Sequence, residues 1–206
     1  QAAELSQLKL LAEEMHAQKD LFPEGQLDQD LQQIDLRSQN SWRLLLADVS
    51  TVELLEVHLV NAVAPFVRRV IAVDESPAML RTARTRLAAR TNVEFRQATL
   101  EALPLAPGEA DLAVLSLVLH YITDPARLLA DVRRGLAPGG RLVVLDMMPH
   151  DRADLRERMG HVWQGFGEPQ LQGWAEDAGF ASYRLAPLPT HPDAKGPGLF
   201  VAVFTA

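Results

Sequence analysis

The apolar positions of this chain fall into two patterns that alternate along its length. Short leucine-rich or β-branched runs predict buried strands, and apolar residues spaced three and four apart predict amphipathic helices. Their alternation from residue 44 onward indicates an α/β fold, with a parallel sheet covered by helices on both faces. The strands predicted in this part of the chain cover residues 44–49, 67–74, 92–96, 110–116 and 141–146.

The last fifty residues depart from this alternation. Helices are predicted over 155–162 and 169–178, and two further strands over 181–185 and 199–204. A Pro- and Gly-rich loop joins these two strands, so they are expected to form an antiparallel hairpin at the edge of the sheet. The sequence therefore predicts a Rossmann-like, mostly parallel seven-stranded sheet with a C-terminal antiparallel hairpin.

The first forty residues have a different character. Residues 2–17 have helical apolar spacing, and residues 18–40 are polar and rich in Gln and Asp. We interpret residues 1–40 as an N-terminal helical arm and residues 41–206 as the α/β domain. The apolar face of the arm suggests a homodimer formed through it.

The strongest local signal is the run Val70-Ile71-Ala72-Val73-Asp74-Glu75-Ser76-Pro77. It predicts a buried strand that ends in an acid, followed by a helix with Ser76 as N-cap and Pro77 at its first position. Ligands of open α/β sheets lie beyond the carboxyl ends of the strands. Asp74 is placed to accept hydrogen bonds from both hydroxyls of a ribose. The alternative is that Asp74 only caps the following helix.

Composition narrows the function classes. The net charge of −7 disfavours a nucleic-acid partner, because phosphate contacts need a basic surface. The chain has no cysteine, which excludes disulfides, thiolate metal sites, cysteine nucleophiles and an arsenite-binding thiol site. No apolar run approaches the roughly 20 residues that span a bilayer. We expect a cytoplasmic protein with no membrane partner.

Several stretches together resemble one family, the class I S-adenosylmethionine-dependent methyltransferases of the small-molecule, ubiquinone/menaquinone-like type. The matching residues are Val73–Leu80, Asn92–Gln97, Leu103–Leu105, Asp111–Val114, Leu119–Tyr121 and Leu136–Leu142. The run from Pro149 to Phe166 resembles a subgroup often fused to a winged-helix repressor. The resemblance implies S-adenosyl-L-methionine as cofactor and direct methyl transfer to a small-molecule acceptor.

The resemblance also implies roles by position. Asp74 would hold the ribose hydroxyls, Ser76 and Met79 would line the adenine side, and Ser116 would face the methyl group and the acceptor. The loop after the third predicted strand would reach the adenine ring. The full set of implied cofactor residues is Asp48, Asp74, Glu75, Ser76, Met79, Ala98, Thr99, Leu100 and Ser116.

Two departures from the family pattern keep a rival hypothesis open. The family has a Gly-rich turn after its first strand, but Asp48 is followed by residues 49–54 without glycine. Thr99 stands where the family carries an acid, and Glu101 is a possible substitute. The rival is a non-catalytic binding or regulatory module that has lost its cofactor site. An NAD-binding protein is less favoured, because it also needs the glycine turn.

His120 and Tyr121 are the catalytic candidates, since they follow a predicted strand and histidine transfers protons near neutral pH. The structural alternative is a helix start packed on the sheet edge. Metal binding by His150, Asp151 and His161 is disfavoured by their spacing, and we expect no metal and a helix cap at Asp151. Trp163, Phe166 and Trp174 form either an aromatic wall for an apolar acceptor or part of the core of the C-terminal cap.

Overall fold

The structure, a computed structural model, describes residues 57, 59–61, 63–189 and 196–206. The strands are β1 (Val70–Asp74), β2 (Val93–Gln97), β3 (Ala110–Ser116), β4 (Leu136–Met147), β5 (Ser182–Pro187) and β6 (Leu199–Thr205). The α-helices are α1 (Pro77–Arg86), α2 (Pro125–Gly135), α3 (Ala153–Met159) and α4 (Glu168–Asp177). Short 3₁₀ helices lie at Ala64–Phe66, Leu100–Ala102 and Leu119–Tyr121.

The strands form a mixed α/β arrangement. β1 pairs with β2 in parallel, and β3 pairs with β4 in parallel. β6 lies between β4 and β5 and runs antiparallel to both, which confirms the predicted C-terminal hairpin. The predicted strand 44–49 and the arm 1–40 lie outside the described residues, so the seven-stranded sheet and the domain boundary at residue 40 stay predictions.

Helix α1 begins as its sequence predicts. The side chain of Ser76 accepts a hydrogen bond from the backbone N–H of Met79, and Pro77 occupies the first helical turn. Helix α2 begins in the same way, with Asp124 accepting from the N–H of Arg127 before Pro125. Both caps satisfy N–H groups that have no partner within the helix. Each helix is thereby fixed at the end that follows a strand, since α1 follows β1 of the two-stranded sheet and α2 follows β3 of the four-stranded sheet.

Strand β4 starts earlier than the sequence predicts. The sequence pattern of residues 125–136 predicts a helix that ends at Leu136. Leu136 instead pairs with Ala110, and regular pairing resumes between Leu112 and Arg141. The Pro-Gly-Gly segment is therefore an irregularity within the strand. Gly139 has a φ of +77°, and a Cβ on Gly140 would lie 2.8 Å from the carbonyl oxygen of Ala137. Two glycines are needed because the backbone turns and closes on itself there.

The main core lies between the β3–β4–β6–β5 sheet and the helices α2 and α4. Its fully buried members include Leu119, Leu129, Leu142, Phe166, Leu171, Phe200 and Phe204. Trp163 and Trp174 pack against this cluster, and their ring centroids lie 5.6 Å apart. Phe166 is completely enclosed, so it belongs to the core and not to an acceptor wall, whereas Trp163 and Trp174 are partly buried at the margin of the core.

A cluster of ion pairs joins β2 to the start of β3. Arg96 on β2 donates to both carboxylate oxygens of Glu109, at 2.6 and 2.9 Å. Arg69 and the backbone N–H of Ala106 also donate to Glu109. The hydrogen bonds from Arg96 lower the pKa of Glu109 to about 2. The cluster therefore joins Glu109, the last residue of the loop between β2 and β3, to β2 and to the residue before β1.

Candidate active site

Asp74 ends strand β1, and its carboxylate is half-buried. Oδ1 accepts a hydrogen bond of 2.7 Å from the backbone N–H of Ser76, whereas no described residue donates to Oδ2. Burial raises the pKa of the Asp74 carboxyl above its usual range, and the hydrogen bond from Ser76 partly opposes this shift. Asp74 therefore does cap its own turn, as the alternative proposed, but one oxygen of the carboxylate is left to accept from a ligand.

Three other predicted cofactor residues, which follow β1 or β2 in the chain, lie near Asp74. The N–H of Ala98 donates to the carbonyl of Asp74 at 3.1 Å, which joins the ends of the two strands. Met79 is buried and shares with Asp74 an apolar pocket between β1 and α1. Glu75 is exposed beside them and its carbonyl accepts from Gln97.

The loop after β2, which is predicted to reach the adenine ring, has only some of its residues exposed for such a contact. Thr99 is exposed at the start of a 3₁₀ helix, where its side chain makes no capping hydrogen bond. Leu100 packs against the main core instead of facing solvent. The structure thus brings Asp74, Ser76, Met79 and Ala98 together. Asp48 lies outside the described residues.

Ser116, predicted on the acceptor side, ends strand β3 of the four-stranded sheet. The next residue, Leu117, has a φ of +53°, and among the described residues no other non-glycine residue has a positive φ. A left-handed conformation is costly for a large side chain and often marks a functional turn. The N–H of Leu117 still donates to the carbonyl of Leu145, so the sharp turn begins at the last rung of the β3–β4 ladder.

This turn places His120 against the end of β4. Nδ1 of His120 lies 2.8 Å from Oδ1 of Asp146, and the two side chains are only 2% and 0% exposed. Oδ1 of Asp146 also accepts from the N–H of Met147 at 2.8 Å. An ionised carboxylate only accepts hydrogen bonds, so Nδ1 of His120 is the donor in this contact.

Tyr121 and His161 surround the imidazole of His120. Their ring centroids each lie 4.3 Å from that of His120. Burial and, to a smaller extent, the charge of Asp146 raise the pKa of the Tyr121 hydroxyl above 10.0. Tyr121 is therefore protonated at neutral pH, where it can donate a hydrogen bond but cannot remove a proton. Of the two catalytic candidates, only His120 has the chemistry of a base.

A segment from Gly160 to Phe166, here called the cover segment, holds these parts together. The N–H groups of Val162 and Trp163 both donate to the carbonyl of His120, at 3.0 and 3.1 Å. The indole N–H of Trp163 donates to the carbonyl of Ile122. At its other end, the N–H of Phe166 donates to the carbonyl of Met147. The cover segment therefore binds both the 3₁₀ helix of His120 and the end of β4.

The expected helix cap at Asp151 is wrong. Helix α3 begins at Ala153, its N-cap position is Arg152, and no side chain caps it. The carbonyl of Asp151, and not its carboxylate, accepts from Ala153. Across the part of the chain that the structure describes, no group of three or more His, Cys, Asp or Glu side chains is arranged to hold a metal ion. His161 instead packs on His120, and no described helix is long and apolar enough to cross a membrane.

The comparisons with known proteins agree with this geometry. A family model described as "Methyltransferase domain" matches residues 55–144, which include Asp74, Ser116 and His120. A "Ubiquinone/menaquinone biosynthesis C-methyltransferase UbiE" of Marinomonas sp. is 32% identical over 132 residues, 61% of this chain and 51% of that protein. These similarities support the predicted assignment to the class I S-adenosylmethionine-dependent methyltransferases, with S-adenosylmethionine as cofactor.

One further curated protein and one solved structure are also similar to this chain. A 37.1 kDa protein of transposon TN4556 from Streptomyces fradiae is 37% identical over 142 residues, 63% of this chain and 41% of that protein. The solved S-adenosylmethionine-dependent methyltransferase of Mesorhizobium loti is 24% identical, with a TM-score of 0.58 over 68% of this chain and 81% of that one, which supports the Rossmann-like fold. The methyltransferase chain spans about half the length of the curated relatives it matches.

Sequence reasoning missed two features of the methyltransferase site. Asp146 follows the apolar run of β4 just as Asp74 follows that of β1, so an acid at a strand end was the available signal. Its partner His120 is 26 residues away, and a single sequence does not show that contact. The strained turn at Leu117 carries no signal, because leucine rarely adopts positive φ.

Proposed function

We propose that this chain binds S-adenosylmethionine at the end of β1 and transfers its methyl group directly to a small-molecule acceptor. The observation that carries the proposal is Asp74, whose Oδ1 is engaged by Ser76 while Oδ2 has no donor among the described residues. A half-buried carboxylate with one open oxygen fits a ribose diol. Bound S-adenosylmethionine supplies an electrophilic methyl group on a sulfonium centre.

The protein's own residues would act mainly by position. Asp74 anchors the cofactor, and the end of β3 at Ser116 presents the acceptor side. Alignment and exclusion of water account for a large part of the acceleration in reactions of this kind. The curated relatives support a small acceptor, since one is named for ubiquinone and menaquinone biosynthesis. The non-catalytic alternative is not favoured.

The test is calorimetric titration of S-adenosylmethionine and S-adenosylhomocysteine into the purified chain. Asp74→Ala removes charge-assisted hydrogen bonds of about 1.5–3 kcal/mol, so the Kd should rise roughly tenfold to a hundredfold. Asp111→Ala is the matched control. Asp111 is an exposed acid near the start of β3, about 16 Å along the strand from Ser116, and its loss should leave the Kd unchanged.

Two results would overturn the proposal. The first is no cofactor binding up to millimolar concentration by the unaltered chain, as expected if the glycine-free residues 49–54 have closed the site. The second is equal affinity of the Asp74→Ala and Asp111→Ala variants. The homodimer through residues 1–40 is a separate proposal, and a monomer in size-exclusion chromatography with light scattering would refute it.

A further inference from the structure

The exposed side of helix α1 carries positive charge only. Residues 76–93 contain no acid and four arginines, which are Arg81, Arg84, Arg86 and Arg90. The three arginines within α1 are exposed, whereas Met79 and Leu80 of the same helix are buried. The chain as a whole has a net charge of −7, so this surface, here called the arginine face, is opposite in sign to the protein that carries it.

The arginine face has no anionic partner in the described part of the chain. Arg84 lies over the ring of Phe95, 5.3 Å from its centroid, and Nε of Arg90 donates to the side-chain oxygen of Asn61 at 2.9 Å. The ion pairs formed between described residues include neither Arg90 nor any arginine of α1. The contacts that these side chains do make are therefore with an aromatic ring and a neutral amide.

The chemistry of the helix itself explains only part of this pattern. Arg84 and Arg86 lie in the last turn of α1, where the negative end of the helix dipole favours a cation. Arg81 lies in the middle of the helix, where the dipole gives no such benefit. Arg81 and Arg84 are also three residues apart, a spacing that places like charges side by side at a cost in stability. An anionic group over the face would offset this repulsion.

One segment of the same chain has the complementary charge. Residues 20–36, here called the acidic segment, contain no Lys or Arg and five acids, which are Asp20, Glu24, Asp28, Asp30 and Asp35. Their charge of −5 accounts for most of the net charge of −7. The acidic segment lies outside the described residues, so its charge is known from the sequence alone. Four positive charges on α1 and the turn after it thus stand against five negative charges in one short stretch of chain.

The path of the chain allows the two to meet. Val57 and Val60, at the start of the described residues, line the same pocket as Met79 and Ala83 of α1. The chain that precedes Val57 therefore emerges beside this helix. Twenty residues separate Leu36 from Val57, and a chain of that length reaches at most about 70 Å. Helix α1 has ten residues and is about 15 Å long, so the acidic segment can reach the whole arginine face of its own chain.

We propose that the acidic segment docks on the arginine face of α1 within the same chain. The contact is electrostatic, and it depends neither on the cofactor nor on the proposed methyl transfer. Single ion pairs at a surface are weak, but the tether between the two segments gives them a high effective concentration, so several pairs act together. While the acidic segment is docked, the arginine face is closed to other anionic molecules.

The first test uses the absence of cysteine from the chain. Gln29→Cys in the acidic segment is combined with Thr85→Cys on the exposed side of α1 or, as the matched control, with Ala130→Cys on the exposed side of α2. In a glutathione redox buffer, the Gln29→Cys/Thr85→Cys variant should form its intramolecular disulfide about tenfold faster than the control, because docking raises the effective concentration. In 1 M NaCl, where the Debye length is about 3 Å, this difference should disappear. Equal rates at low salt would overturn the proposal.

The second test exchanges the charges within the Gln29→Cys/Thr85→Cys variant. Arg81→Glu/Arg86→Glu alters two exposed arginines, neither of which forms an ion pair with a described residue, so circular dichroism should show an unchanged fold. The disulfide should then form at the control rate, and adding Asp28→Arg/Asp30→Arg should restore the faster rate. Arg127→Glu, an exposed arginine of α2, is the matched control and should change nothing. A rate that is insensitive to Arg81→Glu/Arg86→Glu would refute electrostatic docking.

Two results would assign the arginine face to another occupant. A covalent dimer as the main product of the Gln29→Cys/Thr85→Cys variant would give the face to the acidic segment of a second copy. Binding of the unaltered chain to phosphatidylglycerol vesicles, lost in Arg81→Glu/Arg86→Glu and accompanied by equal disulfide rates, would give it to an anionic membrane surface. Either result would overturn docking within one chain.

Discussion

Gly165 offers the sharpest test of how the cover segment is held. Its φ is +78°, and a Cβ built on it would lie 2.1 Å from the carbonyl oxygen of Met148 and 2.8 Å from that of Met147. Both are backbone atoms at the end of β4, so neither can move aside as a side-chain tip would. Gly165→Ala must therefore either distort β4 or push the cover segment away from it.

The magnitude follows from three contributions. The left-handed backbone costs a non-glycine residue about 1–2 kcal/mol. Overpacking in a closed region typically costs about 1–3 kcal/mol. Moving the cover segment also weakens the hydrogen bond from Phe166 to Met147, which contributes about 0.5–1.5 kcal/mol. We expect Gly165→Ala to lower the free energy of unfolding by about 3–5 kcal/mol.

Two other glycines provide matched controls. Gly179 has a φ of +77° but no atom within 4 Å of a built Cβ, so Gly179→Ala measures the backbone strain alone, about 1–2 kcal/mol. Gly173 lies inside α4 with equally open space and no positive φ, so Gly173→Ala should stabilise the chain by about 0.5–1 kcal/mol. Urea unfolding followed by circular dichroism gives all three values. The reasoning is refuted if Gly165→Ala and Gly179→Ala differ by less than about 0.5 kcal/mol.

Two further predictions concern the dependence of stability on pH. Burial raises the pKa of Asp74 in the folded chain above 3.8, so folding disfavours its charged form, and Asp74→Asn should be more stable than the unaltered chain at neutral pH. This advantage should disappear as the pH falls through the raised pKa to 3.8, and a difference independent of pH in urea titrations would contradict it. The charge of Glu109 has the opposite effect and stabilises the folded chain, because Arg96 lowers the pKa of Glu109 from 4.5 to about 2. The stability lost in Glu109→Gln should be constant above pH 4.5 and shrink between pH 4.5 and about 2, and a loss that persists at pH 2 would show that the ion pair is not its cause.

The elements that the sequence predicts well are those whose ends are set by local chemistry. Helix α1 follows from Ser76 and Pro77, which determine the cap within four residues of chain. Strand β3 matches its predicted bounds, because its apolar run lies between a Pro- and Gly-containing loop and a sharp turn. Gly160, with a φ of +70°, ends α3 three residues before the predicted end.

The errors arise where contacts between distant segments decide the outcome. Leu136 has the spacing of a helix residue, but pairing with Ala110 draws it into β4. In the candidate site, too, local signals are predicted from the sequence and contacts between distant segments are not. Asp74 was readable as an acid at a strand end, whereas the contact of His120 with Asp146 depends on how β3 and β4 pair.

The pairing of β4 on both sides has a consequence for motion at the candidate site. From Arg141 to Leu145 the strand is bonded to β3 and to β6 at once, and the ladder with β6 continues through Asp146 to Met147. Amides in such doubly paired strands exchange with deuterium mainly through global unfolding. His120 lies on a single 3₁₀ turn, whose backbone is held by the cover segment and not by a strand on each side. Asp146 is thus held by its strand, and the position of His120 depends on the hydrogen bonds of the cover segment.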